Sequence, residues 1–249
     1  MSTRTNEEPL KRRERSPRFK ARLAGVFVLL EGQTSLFGQL VIPAQFVVTG
    51  DVAATASNIL SSETLFRFGV TLGLMSVAFH IVWVVLFYDL FDLVDRTLSL
   101  LAAFVGLIAI ALQAMSVVLQ GAPLTILHSG EYSSAFPAQQ LQALAYQSLS
   151  FRAETYNTYL VFFGIWCLLT GYLIFRSGLL PRLVGVLEML AGVAYCIQLW
   201  PPLASALHPY YLSLGVGELV LVLWLLTKGV NSERWYERTL ALNRVDSQN

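Results

Sequence analysis

Apolar residues along this chain fall in long blocks, without the strict alternation that marks a half-buried strand. Six blocks reach the roughly 20 residues that a helix needs to cross the ~30 Å hydrocarbon core of a bilayer. They span 22–48, 66–88, 97–119, 155–175, 183–200 and 211–228. Turn or charge signals bound each of them. Gly50-Asp51 follows the first, and Asp92, Asp95 and Arg96 part the second from the third. Gly121-Ala122-Pro123 ends the third, and Trp200-Pro201-Pro202 stops the fifth. Arg176-Ser177-Gly178 and Pro181 form a tight reversal, with Gly178 suited to a left-handed position past a helix end and Pro181 to a helix start.

The connections between blocks carry their own pattern. Residues 51–63 read as a short amphipathic helix capped by Asp51. Pro137 starts another helix, in which Leu141, Leu144 and Leu149 share one face against Gln139, Gln140, Gln142 and Gln147. No strong breaker separates it from the fourth block, so one long helix is expected to project beyond the membrane.

Composition supports a lipid environment. Hydrophobic residues make up 55% and charged residues 13%, about half the roughly 25% usual in soluble domains. The mean hydropathy is +0.58. A soluble fold of this size could not cover that much apolar surface. The net charge of +1, without a basic stripe, argues against nucleic acid as a partner. Two cysteines are too few for a disulfide scaffold or a thiolate metal cage.

Lysine and arginine set the direction of insertion. Fifteen of the 17 fall on one side if the N-terminus is cytoplasmic, leaving Arg67 and Arg152 outside. The expected architecture is therefore an all-α integral membrane bundle of six transmembrane helices, both termini cytoplasmic, capped outside by short helices. Residues 1–20 form a disordered basic tail, 21–230 the transmembrane domain and 231–249 a cytoplasmic C-terminal tail. The first block carries Glu31, Gln33, Thr34 and Gln39, so it reads as a retained span and not as a cleaved signal peptide.

Ionisable groups within spans are costly and usually face the bundle interior. Glu31 lies ~13 Å and Glu218 ~15 Å from the cytoplasmic ends of their spans, His80 at a depth like that of Glu31, and Glu188 ~8 Å in. Small residues flank them: Ser35 and Gly38 beside Glu31, Gly69, Gly73 and Ser76 along the face of His80, Gly185 and Gly192 beside Glu188, and Gly215 a turn before Glu218. Such stripes let helices approach closely. Glu31, His80, Glu188 and Glu218 are thus the candidate ligand-binding residues of a polar pocket in the inner half. Polar glue between helices is the bland alternative.

No metal and no cofactor is expected. The three histidines are scattered, and no HExxH, CxxC, GxSxG, Walker or dinucleotide fingerprint occurs. An outer cluster of His128, His208 and Glu154 lacks ligand spacing. Arg67 is the expected partner of Glu63 or Glu154. Cys167 and Cys196 differ in depth by ~8 Å, which disfavours a disulfide.

Four stretches taken together are familiar: ARLAGVFVLLEGQTSLFG (21–38), GDVAATASNILSSETLFRFGV (50–70), GYLIFRSGLLPRLVGVL (171–187) and GELVLVLWLLTKGVN (217–231). The chain resembles the bacterial multi-pass membrane family catalogued as domain of unknown function 4386. That resemblance implies a plasma-membrane location and about six helices, and it carries over no activity, cofactor or catalytic residue. The functional expectation is a membrane protein that binds or transports a small or lipid-like ligand through the inner-half pocket, with the lipid bilayer as its partner. A lipid-modifying enzyme using His80 and a carboxylate, or a structural or sensory partner protein, are the alternatives.

Overall fold

The computed structural model describes residues 16–128, 130–200, 202–207 and 216–246. The expectations for the rest of the N-terminal tail, for His208 and for Gly215 lie outside the described residues. Eight principal helices follow one another: α1 (Pro17–Ala44), α2 (Val52–Ser61), α3 (Glu63–Phe91), α4 (Arg96–His128), α5 (Ala138–Ser177), α6 (Arg182–Leu199), α7 (Val216–Thr227) and α8 (Ser232–Asp246). Among the described residues there is no strand. Among the described residues five helices, α1, α3, α4, α5 and α6, are long and apolar enough to cross a membrane.

Of the sixth predicted block, residues 211–215 lie outside the described residues. Its described helical part is α7, an apolar helix of 12 residues. A departure concerns α4, which does not stop at Pro123 but carries it inside the helix to His128. Proline removes one amide donor, and this single loss falls near the end of a helix of 33 residues that is buried against neighbours on this face, where Gln120, Pro123 and Leu124 are all covered. In α1 a π-helical stretch, Leu36–Val41, shifts the register and leaves Gln39 fully buried.

Helix boundaries follow local chemistry. The Asp51 carboxylate accepts from the Ala54 amide at 2.9 Å and starts α2. Gly178, at φ 66°, ends α5, and Pro181 precedes α6. α5 is a single helix of 40 residues, ~60 Å long, as the missing breaker before the fourth block implies.

The helices pack as a closed ring in the order α1, α3, α4, α5, α6, α7 and back to α1. Glycine makes three of the contacts possible. A Cβ on Gly171 would stand 2.7 Å from the Gly185 carbonyl, and one on Gly192 2.6 Å from that of Gly164. On the other side of the ring a Cβ on Gly38 would reach the Gly73 amide at 2.6 Å. Polarity is arranged inside-out. Ser76, His80, Gln113 and Gln120 are fully buried, whereas Val85, Phe104 and Val118 face outward, more than half exposed. Lipid outside and polar glue inside make this arrangement stable.

Candidate functional site

Each ring helix sends a side chain to the centre. Glu31 comes from α1, His80 from α3, Gln113 from α4, Cys167 from α5, Glu188 from α6 and Glu218 from α7. Gln113 links the first three. Its amide nitrogen donates to Glu31 Oε1 at 3.0 Å and to Ser76 Oγ at 3.3 Å, which leaves its oxygen to accept from His80 Nδ1 at 2.9 Å. His80 therefore carries a proton on Nδ1, and its buried Nε2 has no hydrogen-bond partner among the described residues. The imidazole stacks on Trp83, ring centroids 4.5 Å apart.

The network continues toward the end of the bundle that carries α2. Gln39 donates to Ser76 Oγ at 3.1 Å and Ser35 Oγ at 3.3 Å, and Gln120 donates to the Gly38 carbonyl at 2.8 Å. Arg152 donates to the Gln39 carbonyl and lies over the Tyr156 ring.

Three of the four sequence-derived candidates share a cavity. It has a volume of about 130 Å³ and is lined by Glu31, Glu188 and Glu218 together with Trp83, Phe87, Phe163 and Trp166. His80 is not among its lining residues; it stands behind Trp83 and reaches the cavity through Gln113 and Glu31. The Cys167 thiol lies beside Glu188, and the Tyr195 hydroxyl beside Glu218. Glu188 Oε2 and Glu218 Oε1 are buried and have no hydrogen-bond partner among the described residues. The mouth runs past Leu29 and Leu219, both of which face outward between α1 and α7.

Sequence reasoning missed the connecting groups. Gln113 holds Glu31 and His80 in place, Cys167 and Tyr195 lie beside Glu188 and Glu218, and of these only Gln113 leaves a signal. Gln113, Ser116 and Gln120 recur at i, i+3 and i+7 in an otherwise apolar block, the mark of a polar stripe turned inward.

The face capped by α2 is simpler. Arg67 pairs with Glu63 at 2.6 Å, and His128 Nε2 lies 3.2 Å from the same carboxylate. Both cysteines are free thiols. Among the described residues no group of three or more histidines, cysteines and acids is arranged to hold a metal ion.

The model of the family described as "Domain of unknown function (DUF4386)" matches residues 23–229. The chain belongs to this family. That stretch holds the whole cavity and all six ring helices apart from the first turns of α1. A relative from Archaeoglobus fulgidus, named "Uncharacterized protein", is 34% identical over 73 residues, 28% of this chain and 43% of that protein. The chain thus spans less than half the length of that relative. No solved structure matches the chain.

Proposed function

We propose that the chain is an integral protein of the bacterial plasma membrane, spanning it six times with both termini cytoplasmic, and that it binds or moves a small lipid-like ligand through the cavity between α1, α6 and α7. The charge bias supports the orientation: 15 of its 17 lysines and arginines lie at one end of the predicted topology. One observation carries the binding site. Three carboxyl groups from three helices converge on a cavity, and two of their oxygens have no hydrogen-bond partner among the described residues. Acids serving only as glue between helices would have both oxygens satisfied.

The lining indicates the ligand's chemistry. Unpaired carboxylate oxygens accept hydrogen bonds or face a positive charge, and tryptophan faces attract cations. A cavity near 130 Å³ is about the size that takes one benzene-sized group. An alkylammonium head fits that description, with its hydrocarbon chain passing Leu29 and Leu219 into the bilayer.

The test uses the full-length protein in lipid nanodiscs. Octyltrimethylammonium is expected to change tryptophan emission saturably, and octanol is not. Gly32 lines the mouth with open space around it, so Gly32→Phe should fill the cavity without disturbing the fold. We expect it to weaken the response about tenfold or more, a loss of ~1.4 kcal/mol, at an unchanged unfolding midpoint. An equal response from this variant, or none from the wild type, would refute the site.

A further inference from the structure

At the opposite end of α7 from the acidic cavity lies a second, larger one, of about 660 Å³. Four cations line it: Arg18 at the start of α1, Arg182 at the start of α6, Lys228 just past α7, and Arg234 in the first turn of α8. Glu233 is the one acid in its wall. None of the four cations has a carboxylate partner among the described residues, whereas nearby Lys20 and Arg176 are paired with Asp89 and Asp95.

Their placement is built by the fold. Arg234 rests on the left-handed turn at Gly178, where an added Cβ would stand 2.5 Å from Nη1. The backbone at Arg18 lies against the second left-handed turn, at Gly229. α6 begins at Pro181 with no side chain capping its first turn, so its free amide groups add positive potential beside Arg182. Four like charges around one cavity that holds a single acid repel one another, and a bound anion relieves that repulsion.

We propose that this cavity binds the phosphate of an anionic phospholipid. The phosphate chemistry follows from the guanidinium groups, which match phosphate oxygens in geometry and charge. The lipid source follows from position. The basic cavity sits where α6 and α7 meet their polar ends, and both helices present outward-facing leucines immediately beside it, Leu183 at 66% exposure and Leu223 at 55%. Trp224, in the cavity wall, is the residue type that settles at the headgroup level. Acyl chains lying along the leucines would place a headgroup phosphate among the four cations. This site is independent of the acidic cavity and of any ligand there.

The test compares the full-length protein in phosphatidylcholine nanodiscs with and without phosphatidylglycerol, reading bound lipid by native mass spectrometry and the unfolding midpoint. Phosphatidylglycerol should be retained and should raise the midpoint, while inorganic phosphate added to phosphatidylcholine discs should not. Arg182→Gln and Arg234→Gln should each reduce retention about fivefold, the effect of one basic residue near an anionic surface. Arg96→Gln, at an exposed cation outside the cavity, should leave retention unchanged. The proposal fails if Arg96→Gln weakens retention equally, which would mean a diffuse positive surface. It also fails if inorganic phosphate alone raises the midpoint and phosphatidylglycerol does not, which would make the ligand a soluble phosphate compound.

Discussion

Gln113 satisfies all of its hydrogen-bonding groups at once, accepting from His80 and donating to Glu31 and Ser76. Replacing it with leucine would leave a buried histidine N–H and a carboxylate oxygen without their partner, and each such group costs about 1–3 kcal/mol. Interhelical hydrogen bonds in membranes are worth less on average. We therefore expect Gln113→Leu to lower stability by ~1–3 kcal/mol in total, read as a drop in the unfolding midpoint of the detergent-solubilised protein. The same change at Gln140, which is exposed on α5, should stay within ~0.5 kcal/mol. Equal midpoints for the two variants would mean that the network contributes nothing. The acids and the histidine were visible in the sequence because a charge in an apolar block is conspicuous. Cys167 and Tyr195 were not, since a thiol or a phenol sits unremarkably in such a block until an acid from another helix lands beside it.

Among the helices, glycine has two distinct roles. Gly171 and Gly185 bring α5 and α6 into backbone contact, and a methyl group on Gly171 would meet the Gly185 carbonyl at 2.7 Å and the Met189 amide at 2.9 Å. Backbone atoms cannot give way as a flexible side chain does. Gly171→Ala should accordingly destabilise by ~1–3 kcal/mol. At Gly32, on α1, an added methyl group would meet nothing within 4 Å, so Gly32→Ala should be neutral or stabilising by up to ~1 kcal/mol from helix propensity. Chemical denaturation in detergent micelles reads both, and a loss at Gly32 matching that at Gly171 would contradict the packing described. The stripe on α6 was legible as Gly185, Glu188 and Gly192. Its counterpart, Gly164 and Gly171 on α5, was not, because two glycines seven residues apart become a contact surface only when a second helix crosses them. Pro123 likewise reads as a stop in isolation, yet the helix continues once neighbours hold both sides of the break.

The whole molecule poses a question of direction. With both termini cytoplasmic, a single cysteine placed at Ser2 should react with a membrane-impermeant thiol reagent only after cells are permeabilised, and one placed at Asn249 should behave the same way. The native Cys167 is buried and Cys196 partly so, which keeps the background low. Labelling of either terminus in intact cells would overturn the topology. Five long apolar helices, the Asp51 cap and the inward turn of Glu31, His80 and Glu188 could be read from local pattern. In a bilayer every helix must satisfy its own backbone, so length, polarity and end signals are written within each segment. Ring closure, the bridging role of Gln113 and the cavity could not be read that way. Lipid offers no hydrophobic force to bring helices together, so their partners are selected by shape and by hydrogen bonds between residues as far apart as Glu31 and Gln113. Such matches exist only after the chain has folded around them.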